Sequence, residues 1–145
     1  MHIYIRAMSE SQNKIYDKLT DKSDQILIHL AKLLIYPNCQ YVNHWKKEIM
    51  SFLWRVDKLK GKNKYPSEKF IVKALSTHND VLAHYISHAI DAESELQPNQ
   101  ISSDTFERAA KEYQHWLAKM LSQQGVIDAS LIYSELDEIV RKYSN

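Results

Sequence analysis

Asp80, His84, His88, Asp91 and Glu95 are the residues whose types and spacing come nearest to a metal site. At helical periodicity they fall within an arc of roughly 80° on one face. Histidines four apart can share one divalent ion, and carboxylates a turn away can complete or orient the ligand set. A metal-dependent hydrolase is the enzyme such a site would serve. The apolar residues of the same segment, Leu82, Tyr85, Ile86, Ala89, Ala92 and Leu96, are centred more than roughly 100° away. The stripe is therefore expected to face water, and a hydrated face of Asp–His pairs is the alternative reading. One helix rarely supplies a whole site, and no second His/Glu pair is expected to complete this one.

Arg108 and His115 are seven apart and share a helical face. An Arg followed at short distance by a His resembles the motif of the HEPN helical ribonucleases, which are bundles of similar size. That resemblance implies a dimer interface at which Arg108 binds phosphate and His115 assists proton transfer. Family members usually carry a polar residue directly after the Arg, where this chain has Ala109.

A third constellation is basic. Between positions 46 and 73 stand Lys46, Lys47, Arg55, Lys58, Lys60, Lys62, Lys64, Lys69 and Lys73 against Glu48, Asp57 and Glu68. Lys58, Lys60, Lys62 and Lys64 would make a cationic helix end and loop able to touch phosphates. The competing reading is solubility and internal pairing, because charge is unevenly placed: +7 over residues 1–73 and −6 over residues 74–145. His44-Trp45 and His115-Trp116 read as core edges, each Trp on an apolar stripe. Cys39 carries no sequence sign of activation.

The elements that must position these residues are all helical. A first helix, about 12–36, carries Ile15, Leu19, Ile26, Leu30, Leu33 and Leu34 on one side, and Thr20–Asp24 offers a break with a second N-cap. Pro37 ends it. The next, about 41–60, repeats Val42, Trp45, Ile49, Phe52/Leu53, Val56 and Leu59, with Gly61 as its left-handed cap. A short helix follows Pro66. A fourth runs from about Asn79 to Leu96 and is closed by Pro98. A fifth opens at Asp104 through a capping box with Glu107, and a last opens at Asp128 with an Ile127/Ile132 staple. The expectation is an all-α, compact bundle of five to six helices in one domain, 1–145, with residues 1–8 as an N-terminal arm.

Composition agrees. The chain of 145 residues is 44% hydrophobic and 26% charged, enough for a core without staples. Two glycines are too few for a turn-rich β protein or a phosphate-cradling α/β fold. One cysteine permits neither an internal disulfide nor a thiolate cluster, which favours a reducing compartment. The most apolar run, 26–36, is about two-thirds of a membrane span in length. No secretory leader is read at the N-terminus. A cytoplasmic protein without membrane association is expected.

The run His29-Leu30-Ala31-Lys32 through Pro37, then Trp45 and Ile49, then Pro66-Ser67, resembles part of the bacterial family named Domain of Unknown Function twenty-nine. The segment 38–43 lacks the arginine-rich character of that family. Tyr113 and Trp116, Gly125, Asp128 and the acidic run 135–139 are similar to that family's opening, but lie at this chain's C-terminal end. Joining residue 145 to about residue 10 would restore the family order, a circular permutation. The resemblance implies a helical bacterial protein and carries no activity. The function expected from the sequence is a non-enzymatic protein-interaction or self-association module, steered by its charge asymmetry. Nucleic-acid binding through 46–73 and the two enzyme readings are the alternatives; no cofactor is expected beyond the divalent ion of the first constellation.

Overall fold

The computed structural model describes residues 10–59, 66–123 and 127–144, with side chains from residue 13. The expected arm at residues 1–8, Lys60, Lys62, Lys64, the cap at Gly61, and Gly125 lie outside the described residues. Six α-helices follow in order: α1 Glu10–Ile35, α2 Val42–Asp57, α3 Glu68–Leu75, α4 Leu82–Ala92, α5 Ser103–Leu121 and α6 Ala129–Tyr143. A 3-10 turn, Asn79–Val81, leads into α4. Among the described residues there is no strand, and the all-α bundle is as the sequence predicts.

The second half of α1 is the axis of the molecule. Leu27, Ile28, Leu30, Ala31, Leu33, Leu34 and Ile35 are all buried and span about 220° of the helix, leaving His29 and Lys32 half-buried on the remaining arc. So wide an apolar arc needs more than one partner to cover it, and α2, α3 and α4 all pack on it. The spacing predicts one buried side for α1; the buried arc is wider than that and is covered by three helices. The expected break near Thr20–Asp24 does not occur. Ser23 is buried and returns its hydroxyl to the Thr20 carbonyl at 3.0 Å, while the Asp24 carboxylate accepts from the Gln25 N–H. Both side chains are absorbed into a continuing helix instead of capping a new one.

Helix ends elsewhere show where tertiary contacts override local signals. α4 stops at Ala92, short of Leu96, because the turn after it is held by α1. Lys32 pairs with Glu93 at 3.3 Å, and the Tyr36 hydroxyl donates to the Glu93 carbonyl. The Asn99 N–H then caps α1 by donating to the Ile35 carbonyl at 3.0 Å. α5 is capped by Ser102, whose Oγ accepts from the Thr105 N–H at 3.1 Å, so the expected Asp104/Glu107 box is displaced two residues upstream. Asp128 caps α6 as predicted, accepting from the Ser130 N–H at 2.9 Å, and both Ile127 and Ile132 are buried.

α5 is joined to the α3–α4 corner by one buried polar residue. Gln114 is 2% exposed and donates to the Leu75 carbonyl (3.1 Å) and the Asn79 Oδ1 (2.8 Å), while its own Oε1 accepts from the Asn79 Nδ2 (2.9 Å). This amide pair satisfies a carbonyl that α3 leaves without a helical partner at its end.

Candidate functional site

α2 carries two tryptophans nine residues apart, which places them about 180° apart around the helix. Trp45 is 2% exposed in the core, and Trp54 is 49% exposed on the opposite face. Burial of Trp45, Ile49, Phe52, Leu53 and Val56 against the core fixes the rotation of α2 and so forces Trp54 outward. Lys47, Ser51, Arg55 and Lys58 share its face within an arc of about 100°. From Lys47 to Lys58 the row extends about 16 Å along the axis.

α6 supplies the other wall. Two contacts pin the helices antiparallel: Lys46 pairs with Asp137, and Asp57 Oδ2 accepts from the Ile127 N–H at 3.3 Å. The strip between them is a groove of about 450 Å³, floored and walled by Met50, Ser51, Trp54, Ala129 and Tyr133 and edged by the three cations.

Among the described residues the charges of this groove find no internal counter-charge. Lys46, next to Lys47 in sequence, pairs with Asp137 of the acidic half of the chain, and Lys32, on the far side of α2, pairs with Glu93. Lys47, Arg55 and Lys58 make no ion pair with a described residue. Internal neutralisation, the competing reading for the basic stretch, therefore accounts for Lys46 and leaves these three for solvent or a ligand. Trp54 is the residue that the sequence reading missed. Its signal is its position: an aromatic on the polar face of an otherwise clean amphipathic helix, between cations.

The other predicted sites remain on open surface. His84 and His88 are exposed on α4, with ring centroids 6.2 Å apart. Asp80 and Asp91 are exposed as well, whereas Glu95 lines a separate hollow beside Glu93. Among the described residues no three His, Cys, Asp or Glu side chains are arranged to hold a metal ion. Arg108 and His115 are both exposed on α5, and neither lines the cavities found there. Cys39 is half-buried and unpaired with any other thiol.

The hollow that takes Glu95 is polar, about 460 Å³, and includes His29, Lys32, His44 and Glu48. Several of its groups are already paired. His29 Nδ1 donates to the Gln25 carbonyl at 2.6 Å, fixing the tautomer with Nε2 as acceptor. Burial holds the His29 pKa below the ordinary histidine value, so the ring is neutral near neutral pH. Lys32 lies 5.7 Å over the Trp45 ring while paired with Glu93, and His44 approaches Glu48 at 3.8 Å. No described helix is long and apolar enough to cross a membrane. No protein-family model, no curated protein and no solved structure matches the chain.

Proposed function

We propose that this protein is a non-enzymatic binding module that holds nucleic acid in the groove between α2 and α6. One observation carries the reading: Lys47, Arg55 and Lys58 lie on one face around the exposed Trp54, without ion-pair partners among the described residues. Cations at the rim attract phosphates, and the pinned α2–α6 pair presents them without reorganisation. Lys60, Lys62 and Lys64 continue the basic run in sequence directly after Lys58.

Binding is favoured over catalysis because the candidate catalytic pairs lie on open faces, where nothing excludes water or orients a substrate. Self-association draws less support than the charge asymmetry offered at first. Lys32–Glu93 and Lys46–Asp137 join basic and acidic halves inside one chain, which reduces the charge left to steer a second copy. A bacterial, cytoplasmic setting and a permuted order of the Domain of Unknown Function twenty-nine family belong to the same proposal. α1 and α6, the elements that such a permutation would join, pack on each other.

The test is the mobility of RNA and DNA oligonucleotides at about 50 mM salt. Neutralising three phosphates on a single strand gives a salt slope of about −2, so affinity should fall roughly twentyfold between about 50 and 200 mM. A variant with Lys47→Glu, Arg55→Glu and Lys58→Glu should lose binding while keeping its helical spectrum. Unchanged mobility of both nucleic acids with the unaltered protein removes the reading.

A further inference from the structure

Resting on the nucleic-acid reading, we infer that the α2–α6 groove selects unpaired strands, with Trp54 as the platform on which one base stacks. The shape of the groove is the first argument. A recognition helix enters a duplex major groove by protruding from its domain. α2 instead has its inner face buried and its flank walled by Ala129 and Tyr133 of α6, so the cations edge a cleft between two helices. A cleft receives one strand; a duplex would rest across its rims.

The second argument is the position of the aromatic ring. Trp54 is midway along the cationic row and about half its surface is open. Hydration of an exposed indole is unfavourable, and backbone contacts to a duplex would leave it uncovered. In a single strand every base has a free π-face, and phosphates on either side of a stacked base can reach toward Lys47 and Lys58. Arg55, next to Trp54, can add a guanidinium to the same stack. Tyr133 is half-buried across the groove and gives the base an apolar second wall. The charge on the rims and the face at the centre together match a strand with its bases turned inward. An acidic protein segment would satisfy the cations and leave the ring without a stacking partner.

The discriminating experiment measures fluorescence anisotropy of a labelled oligothymidylate of about twelve nucleotides, the matching duplex, and unlabelled inorganic polyphosphate and polyglutamate as competitors. The expected result is at least tenfold tighter binding of the single strand than of the duplex at low salt. Trp54→Ala should weaken the single strand about tenfold and the duplex less than twofold, since stacking is lost only where bases are free. Trp54→Phe should recover part of the loss. Trp54 is exposed, so these variants are expected to keep the fold, and an unchanged urea midpoint checks this. Equal or tighter binding of the duplex, or a Trp54→Ala affinity within twofold of the unaltered protein, overturns the stacking inference and leaves the nucleic-acid reading intact. Failure of both oligonucleotides to bind, or competition by polyglutamate as effective as by oligothymidylate, overturns both.

Discussion

Replacing Gln114 with Leu should destabilise the fold by about 2–3 kcal/mol, although the new side chain has nearly the same volume and is apolar in an apolar surround. The figure follows from the bonds lost. Three are short: 3.1 Å to the Leu75 carbonyl, and 2.8 Å and 2.9 Å in the reciprocal pair with Asn79. The fourth, from the Ser76 hydroxyl at 3.4 Å, is long enough to count for little. At about 1 kcal/mol net for each short bond the sum is about 3 kcal/mol. Asn79 is half-buried and recovers part of its bonding from water, which lowers the total. The Leu75 carbonyl has no such recourse under a leucine at 114. Urea unfolding followed by circular dichroism measures the change, and the melting temperature should fall by about 3–5 °C for each kcal/mol. Asn79→Leu alone should cost less, and the double variant should cost about 1 kcal/mol or more less than the sum, because the two amides serve each other. A loss under about 0.5 kcal/mol for Gln114→Leu, or strict additivity with Asn79→Leu, would refute the reasoning.

Three further outcomes are expected. Stability should decline as pH falls below about 6.5, because burial keeps His29 neutral in the fold while the unfolded chain takes up the proton at its ordinary value. In that window the unfolded state binds more protons, so unfolding free energy rises with pH; below the lowered folded pKa the loss is complete. His29→Gln should flatten the urea midpoint between about pH 7 and pH 5, and an unaltered pH profile counts against the assignment. Tyr113→Phe should leave stability unchanged or raise it by up to about 1 kcal/mol, because the buried Tyr113 hydroxyl has no hydrogen-bond partner among the described residues; a clear loss in thermal unfolding would mean a partner outside them. Ser102→Ala should cost about 1 kcal/mol and Asp104→Ala much less, as Ser102 is the cap of α5. The reverse ranking would restore the Asp104 box.

Much of the fold was legible because helical period and breakers act locally. Val42, Trp45, Ile49, Phe52 and Val56 could be placed on the core side of α2 from spacing alone, and Asp128 could be named as a cap from its neighbours. What could not be read are the places where a distant element decides. The end of α4 depends on Lys32 and Tyr36 of α1 reaching Glu93, and no local signal near Ala92 reports that contact. Ser23 and Asp24 look like a cap until the burial of the α1 surface around them is known. Gln114 is on the core face of α5 with Ala110, Tyr113 and Leu117. Its position is therefore visible as an anomaly in the stripe, but its partner at Asn79 is not.

The candidate site divides along the same line. That basic residues cluster between 46 and 73 was plain in the sequence, yet which of them are spent could not be decided there. Lys46 and Lys47 are adjacent and chemically alike. A rotation of about 100° between them sends one to Asp137 on α6 and the other to the open groove. The choice is made by Trp45, Ile49 and Leu53, whose burial sets the rotation of α2 without touching either charge. The same rotation exposes Trp54. A binding surface of this kind is thus a consequence of core packing: the residues that would meet the ligand are the ones the core leaves outside. Exchanging Trp54 with Ser51 would conserve composition and net charge, but would shift the ring by about one helical turn toward Lys47. If a base stacks on that ring, affinity should follow its position, whereas a purely electrostatic site would not register the exchange.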